Sequence, residues 1–587
     1  MSRFRRGVSG LVAVLTAVVP VLAASTDPGA AVDLAIASAE TRLQKGDRAG
    51  ADALYRRALF EGWLLRASLE RIEQRLAGAR EALAKAAGFA PPERASLQSL
   101  ATAQLQAGEA SAAVEILSRL AAQDARDGES RRLLAKAQAA GGELERAART
   151  LDEATVLAAD DPELSFLLAT EYLWLKRPEP AERLFARIVA ARPLPQTHVL
   201  ISRAYRDAGE YDRAAASLQA ALAQDANTRR AHYYLGMVLL ADARTGADRL
   251  DRAIAQFRAE LKLAPDDPLA SDQLGSALLE AERPAEALPA FEAAARGEAR
   301  FLYAFHLGRC QLALDRPQEA VESLRRALAL GGDQGAGDSD LEKIHYQLGL
   351  GLRKLGANEE ATKHLGEARR LAGAAAAQPA TVLLPSDTSP LSELTRAQRD
   401  ALLSRVNAAL ARSYFNLGVM AMQDPAADSP ARAAALLEGA AAIDPEFPRV
   451  QSALGVAYFN ARRFEDAGTA LAKALSRQPD DPGAKRMLAL SWINTEAWEK
   501  AAPLLRDDPE RELNASLQLA YGVALARSGR AAEAVAPLEA AARLAPEQAE
   551  VQLELGKAYE RLGQADRARR SFEAFQRLKD KQPGSAQ

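Results

Sequence analysis

Cysteine is almost missing from this chain: Cys310 is the only one in 587 residues. That excludes an intrachain disulfide framework and any zinc site built on thiolates. A lone Cys between Arg309 and Gln311 reads as a small packing residue. Histidine is scarce as well. The five are His198, His232, His306, His345 and His364, and no two have the i, i+4 spacing that sets a pair over a metal on one helix face. The glycines from Gly331 to Gly337 are not followed by Lys-Ser/Thr, so they do not make a phosphate-binding loop. Carboxylates are many but scattered, and no acid/base pair stands out. Charge of one sign is lacking too. Seventy-five Lys and Arg against 78 Asp and Glu leave a net charge of −3, too small a field to draw nucleic acid or an acidic membrane. These absences predict a chain with no catalytic residues, no metal and no cofactor.

What is present is a pattern, clearest from Pro448 to Asp481. Leu454 and Tyr458 stand four apart on one face of a first helix. Ala467, Leu471 and Ala474 form the face of a second at i, i+4, i+7. Gly455 and Ala467 are small where two helix axes must approach. Arg462-Arg463 falls in the turn between them, and Pro479 stops the second helix. This set of residues, at a period of 34, resembles the tetratricopeptide repeat. The resemblance implies an all-α fold, a right-handed α-solenoid of stacked helix hairpins. It also implies a non-catalytic scaffold for binding other proteins.

The pattern recurs along nearly the whole chain. Two degenerate repeats are expected over 25–93, with Ala51, Tyr55 and Ala58 as one second-helix face and Leu69, Leu76, Ala82 and Ala86 in the next. They form a cap, because a terminal repeat must show one side to water. A first regular array is expected over 94–371 and a second over 391–582, thirteen regular repeats in all. Between them, 372–390 contains Pro379 and Pro385 and reads as a linker; the glycine-rich stretch from Gly331 to Asp340 reads as a loop. Residues 583–587 form a polar tail. Asp161-Pro162, Asp267-Pro268, Asp444-Pro445 and Asp481-Pro482 place Asp at or near a helix N-cap, with Pro in the first turn.

Residues 1–24 read as a secretory signal. Arg3, Arg5 and Arg6 precede an apolar run from Leu11 to Ala24, with a cleavage site at Val21-Leu22-Ala23. The expected address is therefore outside the cytoplasm, periplasmic or secreted. Membrane association is expected at most through an uncleaved signal or through a partner.

In the tetratricopeptide family the first helix of each repeat lines a groove for partner peptides. The resemblance implies that positions two, five, nine, twelve and thirteen point into it. From 301 to 548 these include Phe305, Arg309, Lys343, Tyr346, Arg353, Lys354, Arg412, Phe415, Arg449, Phe459 and Arg486, with no Asp or Glu among them. The expected partners are protein segments, acidic or apolar, and not nucleic acid. The bland alternative is that the aromatics pack within their own hairpins and the basic residues are solvated. Nearer the amino terminus the same positions are mixed: Glu163, Phe166, Trp174, Arg203, Arg206, Tyr233, Met237, Asp272 and Glu280. The family's clamp for a chain-terminal carboxylate needs Lys at five and Asn at six and nine; Asn416 is at six, but its flanking repeats lack the rest. The rival class is a regulatory or targeting subunit of an enzyme complex, or an enzyme whose site has no recognisable motif.

Overall fold

The computed structural model describes residues 27–242, 244, 248–334, 336–376, 391, 394–426 and 428–581. The signal expected over 1–24, the tail from 583 and most of the linker expected over 372–390 lie outside the described residues. Among those described there are 29 α-helices and no strand. The fold is an all-α solenoid. Thirteen consecutive hairpins run from Arg94 to Lys581, in the places that the 34-residue period predicts.

Each hairpin closes around small residues. The second helices contribute Ala113, Ala147, Ala181, Ala214, Ala253, Ala287, Ala320, Ala361, Ala433, Ala467, Ala501, Ala534 and Ala568, none more than 5% exposed. In eight repeats a glycine of the first helix lies directly against a large residue of the second. A Cβ on Gly236 would come to 2.7 Å from Phe257, and one on Gly455 to 2.3 Å from Leu471. Methyl-sized gaps of this kind let helix axes approach, so large and small residues alternate across the interface.

The turns inside the hairpins repeat as well. In most of these turns one residue takes a left-handed conformation, as at Gly209, Asp315, Arg462 and Gly529. The next residue then donates back five positions, as from the Arg463 amide to the Tyr458 carbonyl at 2.8 Å. This ending satisfies carbonyls that the helix leaves open. Asp161, Asp267 and Asp481 accept from the first free amides of their helices, as expected. Asp444 does not. It accepts from the Glu446 amide in a loop turn, and the helix begins only at Val450 because Arg449 is left-handed, with φ 63°.

Two other expectations are corrected. Gly331 to Asp340 is mostly helix: one helix runs Pro317–Gln334 and the next starts at Asp338. The helix Asn358–Ala376 also continues past Ala372, since the Ala run there favours helix. Cys310 is buried, its thiol donates to the Pro284 carbonyl at 3.3 Å, and burial pushes its pKa up to about 11. It is a packing residue that stays protonated at neutral pH.

Contacts divide the chain into two units that do not follow chain order. One centres on Trp63–Ser404; the other joins Ala30–Gly62 to Arg405–Gln587. The expected amino-terminal cap is therefore split at Gly62. Its first hairpin belongs with the carboxy-terminal array, where it lies against the helix Arg396–Met422. Asp33 meets Arg405 at 3.5 Å, and seven residues further along both helices Glu40 meets Arg412. Equal spacing of the two pairs means that the helix Ala30–Gln44 runs alongside its neighbour for two turns. The second helix of the hairpin supplies Tyr55, fully buried, whose hydroxyl accepts from Asn416 at 2.9 Å. Arg48 donates to Gln423, and Gly62 sits where a Cβ would be 2.8 Å from Leu410.

Candidate interaction surface

In the unit centred on Trp63–Ser404, the first helices Gly128–Ala140, Pro162–Trp174, Pro195–Asp207 and Ala231–Ala241 each touch the next. They therefore form one side of the stack. Along each of them the core takes the positions that face the second helix, such as Leu168, Ala169 and Tyr172. At the edge of that core the same helices carry half-buried aromatic and basic residues: Phe166, Trp174 and Tyr234 pack against it, Tyr233 and Met237 against the next cluster, and Arg203 and Arg206 lie beside them.

These side chains hold one another. Phe166 lies against Phe185 at 5.6 Å between ring centres, and Phe185 meets Tyr205 edge-on at 5.1 Å. Arg203 and Arg206 both place their guanidinium carbons 5.4 Å from the centre of the Tyr234 ring. Tyr234 packs edge-on against Tyr233 at 5.2 Å, and Arg230 covers Tyr233 at 5.1 Å. The start of the helix Ala231–Ala241 is held in an unusual way. Arg230 is left-handed, with φ 72°, and the buried Glu260 carboxylate accepts from the amides of Arg230 and Tyr233 at 2.9 and 3.2 Å. A carboxylate from the next helix thus does the work of an N-cap. It fixes the backbone from which Tyr233 and Tyr234 project. Burial raises the Tyr233 pKa, so its hydroxyl stays neutral.

The charges of this surface are unequal in their pairing. Arg230 meets Asp267 at 2.8 Å, and Arg206 meets Asp207 at 2.6 Å. Arg203 has neither an ion pair nor a hydrogen bond among the described residues, and its Nε is shielded from water without an acceptor. Such a surface can grip a segment by ring faces and satisfy a negative group at one point.

The residues singled out from 301 to 548 are placed differently. Phe305 is not on a groove: it is 6% exposed and lies in the core with Ile344 and Leu348 of the following repeat. Arg309 is exposed, over the edge of that core at 5.7 Å from the Phe305 ring. Lys343 and Lys354 are exposed but pair with Asp340 at 3.7 Å and Asp315 at 2.8 Å. Tyr346 is 46% exposed, and Arg353 is exposed without an ion pair among the described residues. In the other unit, Arg412 binds Glu40 of the amino-terminal hairpin. Arg486 grips Asp508 at 2.8 and 3.0 Å and Glu510 at 2.9 Å. These bonds raise the Arg486 pKa and, against burial, lower that of Asp508. Phe415 and Phe459 are half-buried against Phe447 and Phe464, at 5.1 and 5.3 Å. Only Arg449 of that group is an exposed arginine without an ion pair among the described residues. Four of the seven basic residues of the stretch, Lys343, Lys354, Arg412 and Arg486, are thus paired with carboxylates of the chain, and three, Arg309, Arg353 and Arg449, are exposed without an ion pair among the described residues.

Family profiles agree with this architecture. Profiles described as tetratricopeptide repeat match residues 99–162, 199–268, 273–338, 426–491 and 519–586, more than half of the chain. The chain belongs to the tetratricopeptide repeat family. No curated protein matches it. Among solved structures, the tetratricopeptide chain is similar to MamA AMB-1 in its P212121 crystal form, with 25% identity over 29% of this chain and 93% of that one and a TM-score of 0.27. It is similar to the MamA RS-1 ArsTM double mutant at 22% identity, over 31% and 97% of the two chains, with a TM-score of 0.28. YrrB, described as a TPR protein with an unusual peptide-binding site, shows 20% identity over 32% and 91%, with a TM-score of 0.28.

Proposed function

We propose that this chain is a non-catalytic scaffold that binds segments of partner proteins on the first-helix surface running from Phe166 to Met237. The observation that carries the reading is the Arg203–Arg206–Tyr234 contact. There, rings and guanidinium groups are half-buried together, and Arg203, unlike Arg206 on Asp207, has no carboxylate partner among the described residues. Aromatic and arginine side chains of this kind carry most of the energy at protein interfaces. The signal-like Arg3/Arg5/Arg6 and the apolar run from Leu11 to Ala24 support an exported scaffold acting in envelope assembly or secretion.

The test is comparative. Full-length protein, its Tyr234→Ala variant and an Arg449→Glu variant are used to recover partners from native extracts, with quantification by mass spectrometry. Tyr234→Ala is expected to lose the partners that wild type and Arg449→Glu retain. Equal recovery by all three overturns the assignment of this surface.

A further inference from the structure

The last helix, Ala565–Lys581, carries six Lys or Arg against three Asp or Glu, a net of +3 in a chain whose total is −3. Four of the cations, Arg567, Arg570, Arg577 and Lys581, follow one another at spacings of three, seven and four, so they share one face of the helix. Ala574 completes the line, which is about 21 Å long. That face is turned away from the core: Ala568 and Ser571 are the buried residues of the helix, and all four cations are exposed. The acids Asp566, Glu573 and Asp580 keep to one flank. Among the described residues the one ion pair on this helix is Arg569 with Asp566, at 3.2 Å. Arg567 donates to the Gln564 side chain at 3.3 Å and lies 5.7 Å from the centre of the Tyr559 ring. Arg577 donates to the Glu573 carbonyl at 3.3 Å. The stripe therefore has no carboxylate partner among the described residues.

The repeat pattern does not ask for this row. Counted from Ala568, its stations are one before and two, six, nine and thirteen after. Around Ala534 the same stations hold Glu533, Ala536, Ala540, Arg543 and Glu547; around Ala467 they hold Asp466, Thr469, Lys473, Ser476 and Asp480. Hairpins thus close equally well without cations in line. Surfaces for nucleic acid interleave aromatic or amide side chains that stack on bases or read them, and here the only interleaved residue is Ala574. We propose that this face docks on an anionic phospholipid surface. Headgroup phosphates make a plane of mobile acceptors, which a straight row of flexible cations meets without a fixed register. Ala574 leaves no bulk between the middle of the helix and that plane. The small total charge of the chain does not oppose it, because salt screens charges farther off than ~10 Å. The contact is independent of the Phe166–Met237 surface. It gives the scaffold a membrane attachment of its own, beyond the uncleaved signal or the partner expected from the sequence.

The experiment floats the full chain with vesicles of phosphatidylcholine alone, or of phosphatidylcholine with about a third phosphatidylglycerol, in low and in high salt. Wild type is expected to gain binding from the anionic lipid and to lose that gain as salt rises. Each cation held near such a surface contributes about a fivefold factor. Arg570→Gln combined with Arg577→Gln is therefore expected to bind the anionic vesicles roughly 25-fold more weakly. Arg353→Gln combined with Arg449→Gln removes the same charge elsewhere and is expected to bind as wild type does. Both double variants should keep the wild-type urea midpoint, since all four side chains are exposed. The proposal is overturned if anionic lipid adds no binding, if the Arg570/Arg577 variant binds as wild type does, or if both variants weaken equally. It is overturned as well if the stripe binds duplex DNA or polyglutamate while the chain ignores the vesicles, which would assign the face to a nucleic acid or to an acidic protein.

Discussion

Tyr55 tests the division of the chain most sharply. It lies in the first hairpin, is fully buried, and accepts a hydrogen bond from Asn416, which is 361 positions away. Replacing a buried aromatic by alanine costs ~3–5 kcal/mol, through lost contacts and the cavity left behind. Tyr55→Phe keeps the ring and removes only the acceptor, which should cost about 1 kcal/mol. In a solenoid such losses are felt by the contacting repeats rather than by the whole chain. The readout is therefore hydrogen exchange resolved by peptide. If exchange follows local opening, Tyr55→Ala should speed it by roughly two to four orders of magnitude over 405–443. Exchange over 94–376 should be unchanged, although that stretch is nearer in sequence. Tyr55→Phe should produce less than a tenth of the acceleration. Faster exchange confined to 63–123, with 405–443 unaffected, would refute the grouping of the first hairpin with the carboxy-terminal array.

Two further outcomes are expected. Gly455→Ala gains ~1 kcal/mol of helix propensity, but its Cβ lands 2.3 Å from Leu471, and overpacking costs ~1–3 kcal/mol; the net is a loss of up to about 2 kcal/mol. Gly366→Ala meets nothing within 4 Å and should stabilise by about 1 kcal/mol, so urea midpoints that move in the same direction would sink the packing argument. The second outcome concerns His345 and His364, whose Nδ1 atoms are 2.8 Å apart across their hairpin. Burial, and for His345 also the other imidazole, lowers both pKa values from 6.5, although Glu360 and Glu367 favour the charged forms. The unfolded chain therefore takes up these protons first, and stability falls as pH drops through 6.5 towards the folded-state values. Amides of 338–376 should lose protection between pH 7.5 and 5.5 in wild type and less so in His345→Gln. An equal loss in both would remove the pair from the explanation.

The hairpins were legible because their determinants are local. Leu454, Gly455, Ala467 and Leu471 lie within one repeat, and their spacing alone requires two helices packed closely. The caps at Asp161, Asp267 and Asp481 follow from two adjacent residues. Asp444-Pro445 looks the same in sequence but differs in structure, because the left-handed residue that restarts the helix, Arg449, lies five positions on. The site was harder to read. An absence of acids at groove positions says nothing about acids elsewhere. Asp508 and Glu510 reach Arg486 from a loop, and Glu40 reaches Arg412 from the far end of the chain. Phe305 met the spacing of a groove residue, yet the next repeat closes over it. Position alone does not distinguish Tyr234, which stands one residue beyond the position expected to face outwards, so in sequence the Arg203 surface reads as mixed. No periodicity marks which array an amino-terminal hairpin will join. Val32, Ala35, Ile36 and Ala39 show that one face is buried, but not against what.

That hairpin also sets an order of events during synthesis. It leaves the ribosome before its neighbour exists, because residues 63–404 are made in between. At ~5–20 residues per second the delay is on the order of 20–70 s. Throughout it Tyr55, fully buried in the finished fold, waits for its hydrogen-bond partner Asn416. The carboxy-terminal array in turn recruits its first repeat from the earliest-made part of the chain.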